Sequence, residues 1–214
     1  MVIVLGAFGY SQLPGETLID PVRDKFQAEP VVFNAAPPAD SMLARLMITG
    51  EIKLHPTRLP LVPDEEIDQE TLWLARCIFS ETKRPEEQEL VAWVVRNRVE
   101  TQYRGKETYE AVVLDPWQFS AFNRDDDKRH YYRNLTLRNK NIVGWQRAVS
   151  IAYYVRHASA SYRPFSDQTL FFYSERSMVG RSHPTWARGM TQIHPPERYK
   201  IDERRFRFFA GVMS

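Results

Sequence analysis

Residues 69–80, QETLWLARCIFS, are apolar nearly all the way round a helical wheel. A helix lying on a surface shows an apolar stripe and a polar face, whereas one apolar on every side must be enclosed by other elements. A chain with such a segment has to wrap a core around it, and 214 residues are enough to do so. The apolar run gives out at Ser80, and a carboxylate, Glu81, follows it. Pro85 then suits the first turn of a second helix, with Glu86, Glu87 and Glu89 near its positive N-terminal end. That helix runs through ELVAWVVRNRVETQY, with Leu90, Val91, Val94, Val95 and Val99 at core spacing and Arg96 and Arg98 expected outward.

Upstream the pattern is different. Residues 1–68 carry prolines at 14, 21, 30, 37, 38, 56, 60 and 63, and their apolar periodicity is broken except at 41–49. That stretch reads as one helix capped by Ser41 and stopped by Gly50. The expectation is a loosely ordered extension over 1–68 and a catalytic-size domain over 69–214. Within the domain, a short helix is expected early in 105–124 before the break at Asp115-Pro116. A longer helix is expected over about 141–158, with Gly144 weakening only its first turn. Residues 168–174 (QTLFFYS) and the closing RFRFFAG read as strands. The predicted fold class is α+β, predominantly helical with a small β element.

Composition narrows the chemistry. The single cysteine, Cys77, excludes an internal disulfide and an all-cysteine metal cluster, and its apolar neighbours make it a core residue. A net charge of +2 does not by itself argue for nucleic acid. Acidic residues gather at 64–70 and basic ones at 128–140 and 198–207, runs that read either as solvated faces or as a cationic rim for an anionic polymer. The opening MVIVLGAFGYSQ is apolar but short and has no basic residue before it, so it lacks the form of a complete signal peptide and is too short to span a bilayer. Stable membrane insertion is not expected.

Three islands stand out chemically: Glu81, WQFSAFN at 117–123, and the pair LFFYS (170–174) with HPTWAR (183–188). A carboxyl at the C-terminal end of a buried helix meets the negative end of the dipole and apolar surroundings, and both raise its pKa. A carboxyl protonated near neutral pH is what a general acid for glycosidic cleavage requires. Read from composition and position alone, Glu81 is more readily a solvated helix-end residue than a catalytic one. The other islands combine aromatic rings with amide, hydroxyl and indole groups, a mixture suited to pyranose faces and hydroxyls.

LARCIFSETKRPEEQELVAWVVRNRV, followed by DPWQFSAFN and later by LFFY and PTWAR, resembles the SleB-type cell wall hydrolases, the spore cortex-lytic family, over roughly residues 70–210. The resemblance implies a lysozyme-like fold acting on peptidoglycan glycan strands between N-acetylmuramic acid and N-acetylglucosamine, in the cell envelope or outside the cell, without a cofactor. It carries the family's catalytic glutamate onto Glu81 and its Gln-Phe-Ser element onto Gln118, Phe119 and Ser120, while Tyr173 and Trp186 match later positions as substrate-binding residues. Thr82-Lys83 stands where Ala-Arg is usual, and Ala121-Phe122 where a tryptophan often follows. The family route uses one glutamate as acid and then base, so that the sugar's own 6-hydroxyl closes a 1,6-anhydro end. Tyr173 and Ser120 would steady the developing charge, and Gln118 would hold an N-acetyl or hydroxyl group.

Other readings stay open beside it. A hydrolytic muramidase would need a second carboxylate, for which Asp115 is the candidate by proximity to the aromatic segment. A non-catalytic peptidoglycan-binding protein would keep the groove alone. The interleaved RHYYRN at 129–134 would suit single-stranded nucleic acid, although no nucleic-acid partner is expected. His55, His130, His157, His183 and His194 show no metal-ligand spacing.

Overall fold

The computed structural model describes residues 59–175, 184–199 and 201–211. The helix expected at 41–49, nearly all of the 1–68 extension, and His55 and His183 lie outside the described residues.

The expected buried helix is α1, Gln69–Glu81. Asp68 starts it, its carboxylate accepting from the Thr71 amide at 2.8 Å. Every residue from Thr71 to Phe79 is buried, because the helix is surrounded by α2 (Pro85–Glu100), α3 (Tyr109–Val113), α4 (Arg129–Arg133) and α5 (Trp145–His157). Arg76 is enclosed with them: its guanidinium lies over Trp73 and its Nε–H donates to the Leu135 carbonyl at 3.0 Å. Cys77 is wholly buried, as its neighbours implied.

Two expectations for the helices are corrected. Arg96 and Arg98 do not face outward; they are 8% and 1% exposed. Arg96 lies over the Trp93 ring and donates to the carbonyls of Val155 and Ala158 at 2.6 and 2.7 Å, which satisfies the end of α5. Arg98 Nε–H donates to the Leu170 carbonyl at 2.8 Å. The second correction concerns Gly144, which lies before α5 rather than within it. At φ +82° it occupies the left-handed region, where a glycine is unstrained, and the helix begins at Trp145.

Both expected strands form, as β1 (Thr169–Tyr173) and β3 (Arg207–Ala210). Sequence reading missed β2, Thr191–Ile193. The antiparallel sheet has the order β1-β3-β2, with Phe171 opposite Phe209 and Gln192 opposite Phe209 on the other side. Phe172 and Phe208 reach from the sheet into the helical core, while Leu170, Phe171, Tyr173, Trp186 and Phe209 form a second apolar cluster. The fold is α+β, with helices enclosing α1 and a small sheet against α2.

Candidate active site

Glu81 is the last residue of α1, and the turn that follows is tightly tied. Thr82 closes the helix, its amide donating to the Ile78 carbonyl at 3.2 Å. The Thr82 hydroxyl donates to Glu87 Oε2 at 2.5 Å and accepts from the Arg84 amide at 3.2 Å. Gln88 donates from its side-chain amide to the Thr82 carbonyl at 2.8 Å. Glu87 is itself 2% exposed and clamped by the Arg205 guanidinium, Nε to Oε1 at 2.7 Å and Nη2 to Oε2 at 3.1 Å. The sequence expectation that Glu87 serves the helix dipole is therefore only part of its role. Lys83 folds back to donate to the Phe79 carbonyl, its ammonium 3.2 Å from the centroid of the Phe79 ring. This cation caps the last turn of α1, and burial holds its pKa down to about 8.

The Glu81 carboxyl has no hydrogen-bond partner among the described residues. Burial pushes its pKa up to about 7, against the opposing pull of the Arg98 guanidinium. Its charge acts in turn on Cys77, Arg98 and Tyr132. Two of these groups lead to the second island. Arg98 lies 5.3 Å from the Phe119 ring centroid and 5.4 Å from that of Tyr103. Tyr132, on α4, packs on Phe122 and Phe79, each at 6.4 Å between centroids. The segment from Phe119 to Phe122 is thus held at both ends by groups that feel the charge of Glu81.

Gln118, Phe119 and Ser120 occupy this segment. Phe119 is 1% exposed and packs on Phe172, so the ring anchors the segment to β1. Gln118 is 5% exposed, and its Oε1 is buried without a hydrogen-bond partner. Ser120 is half-buried at the start of a short turn of 3₁₀ helix that runs to Phe122. Tyr173 and Trp186 come together in the second apolar cluster: Tyr173 stacks on Phe209 at 5.5 Å and meets Trp186 edge-on at 5.9 Å. Asp115 is 7% exposed and paired with Arg104, Nε to Oδ2 at 2.7 Å.

Two residues around the site carry no sequence signal for it. Arg98 and Tyr132 are brought to Glu81 by packing from distant segments. Trp117, which opens the WQFSAFN island, is left half-exposed, with its backbone at φ +66°. Elsewhere, a cavity of about 360 Å³ is lined by Trp73, Arg124, Asp126, Arg129, His130 and Arg133, among others, near the opposite end of α1 from Glu81. It takes up part of the basic run at 128–140. Among the described residues no cluster of three or more histidine, cysteine or acidic side chains could hold a metal ion, and no helix is long and apolar enough to cross a membrane.

Residues 83–195, more than half of the chain, match the family described as Cell Wall Hydrolase. The matched span holds Gln118, Phe119, Ser120, Tyr173 and Trp186, and it opens at Lys83, just beyond Glu81. No curated protein and no solved structure matches the chain.

Proposed function

The chain belongs to the Cell Wall Hydrolase family, and from that premise we propose that it cleaves the glycosidic bond between N-acetylmuramic acid and N-acetylglucosamine in peptidoglycan, with Glu81 as the acid. The observation that carries this reading is the placement of the Glu81 carboxyl, half-buried at the C-terminal end of a buried helix and near Arg98 and Tyr132, where desolvation pushes its pKa up to about 7. A group with that pKa is protonated in a useful fraction of molecules at neutral pH and still releases its proton readily. It protonates the leaving glycosidic oxygen first. The resulting carboxylate then takes the proton from the sugar's 6-hydroxyl as that oxygen attacks C1, which closes a 1,6-anhydro ring and returns the acid to its starting state.

The lytic transglycosylase route needs only one carboxyl, and the state of Asp115 favours it. Hydrolysis would require a second carboxylate to activate water or attack C1, and the Asp115 carboxylate is engaged by Arg104 at 2.7 Å. Gln118 supplies a fitting contact for an N-acetyl group, since its unpartnered Oε1 is an acceptor for an acetamido N–H. A ligand donor there would relieve the cost of a buried acceptor left unmade, about 1–3 kcal/mol. Ser120 stands beside it as a hydroxyl within the same segment. Phe119, Tyr173 and Trp186 are all buried, so in this reading they shape the walls, and the Tyr173 hydroxyl is the group among them able to steady charge on the sugar.

Mass spectrometry of muropeptides released from purified sacculi tests the reaction. The expected products end in 1,6-anhydro-N-acetylmuramic acid. Reducing N-acetylmuramic acid ends alone would point to the hydrolytic route with a second carboxylate, and reducing N-acetylglucosamine ends would move the cut to the other linkage.

A further inference from the structure

We propose that Trp117 is a stacking platform for a pyranose ring of the glycan strand, an extension of the binding site beyond the cleaved linkage; this rests on the reading of the protein as a glycan-cleaving enzyme. Three observations converge on it. The chain has five tryptophans, and Trp73, Trp93, Trp145 and Trp186 are between 0% and 9% exposed, whereas Trp117 is 50% exposed. Among the described residues no ring or cation packs against its indole, in contrast to the paired aromatics of the core. Its backbone, at φ +66°, is in the left-handed region, which a bulky side chain enters only under strain.

The strain is held in place by its neighbours. The Trp117 amide donates to Asn123 Oδ1 at 3.0 Å, and the Gln118 amide donates to the Asp115 carbonyl at 3.2 Å. Asp115 is fixed by Arg104, and Pro116 restricts the turn from within. The core gains nothing from this arrangement, because the ring it directs is not in the core. What the turn does is put a half-exposed indole next to Gln118, whose buried Oε1 lacks a partner. A flat apolar ring beside a recessed acceptor is complementary to an N-acetylated sugar, whose C–H face is apolar and whose acetamido N–H is a donor.

The test uses the Glu81→Gln protein, so that bound glycan is not cut, titrated with soluble glycan strands freed of their peptides. Because Trp117 is the one tryptophan well exposed, acrylamide quenching of the intrinsic fluorescence reports mainly on it. Glycan is expected to blue-shift the emission and protect it from acrylamide. Adding Trp117→Asn, which tolerates the left-handed region, should leave the melting temperature near that of the parent and weaken binding by about 3- to 10-fold; Trp117→Tyr should keep most of the affinity. Glycan bound with unchanged quenching, or bound equally well by the Trp117→Asn protein, overturns the platform while leaving the cleavage reading intact. Failure of the Glu81→Gln protein with Trp117 intact to bind any glycan, together with sacculi left unaltered by the parent enzyme, overturns both.

Discussion

Arg98 Nε–H donates to the carbonyl of Leu170 at 2.8 Å, across 72 residues of chain, and so ties β1 to the last turn of α2. The same guanidinium lies against the Tyr103 and Phe119 rings and lowers the pKa that burial gives Glu81. Its Nη1 is buried without a hydrogen-bond partner. One side chain thus joins the sheet, the Phe119 segment and Glu81.

Replacing Arg98 by Gln should therefore have two separable effects. Loss of a charged hydrogen bond to a buried carbonyl should cost about 1.5–3 kcal/mol of stability, read by denaturant unfolding. With this opposing cation gone, the balance at Glu81 shifts further toward burial, and the limb of the activity profile that falls with rising pH should move to higher pH. Arg98→Lys, which keeps the charge but not the planar fork, should hold the limb nearer its original position. Equal profiles for Arg98→Gln and the parent would show that the guanidinium does not act on the acid.

Glu81 itself should set that limb. The acid must be protonated to begin the reaction, so kcat is expected to fall as pH rises through about 7. Glu81→Gln cannot give or take the proton and should lose on the order of 10²–10⁴-fold in rate, while still binding glycan. Lysis of sacculi by a folded Glu81→Gln protein would place the acid elsewhere.

The two helices that flank Glu81 were legible because their signals are local: an all-round apolar run and a proline in the first turn. The same locality explains what escaped. Burial of Arg98 depends on a carbonyl and two rings supplied by other segments, so a spacing rule that sends arginines outward misplaces it. Strand β2 is three residues long and at most partly buried, and only its pairing with β3 makes it a strand. The sequence shows composition but not the sign of φ, so the left-handed backbone of Gly144, which puts it before α5, and that of Trp117 within its island are visible only in the structure. Within the candidate site, the helix end that carries Glu81 was legible in a run of letters, whereas the groups packed around it were not.

Stability should depend on pH through a carboxyl outside the site. Glu89 is 3% exposed and accepts from the Tyr199 hydroxyl at 2.6 Å, and burial pushes its pKa up to about 7. The folded state therefore binds this proton more tightly than the unfolded chain, with its ordinary value of 4.5. Its contribution is full below about 4.5 and lost as pH rises to about 7, a change on the order of 2–3 kcal/mol. His157 works in the opposite direction: burial first, then Arg156, hold it down to about 4, so its contribution is lost as pH falls from 6.5 toward 4. Glu89→Gln keeps an acceptor for Tyr199 and removes the charge. It should raise the melting temperature at pH 8 and change it little at pH 5, and an equal shift at both would show that Glu89 does not titrate in this window.

The turn after Glu81 offers the sharpest separation of position from chemistry. Thr82→Val keeps the shape of the side chain but removes the hydroxyl that donates to Glu87 at 2.5 Å and accepts from the Arg84 amide at 3.2 Å. The Glu87 carboxylate retains Arg205, so the buried charge stays paired, and the loss in stability should be about 1–3 kcal/mol. Because Glu81, the proposed acid, sits one residue away, the loosened turn should lower kcat more than it raises KM, since the proposed binding contacts lie on the Gln118 segment and not on this turn. The pH at which activity falls should stay near that of the parent, because neither burial nor Arg98 has changed. Steady-state kinetics on soluble glycan strands, measured across pH, would read all three; a rise in KM alone would mean that the turn serves binding rather than placement of the acid.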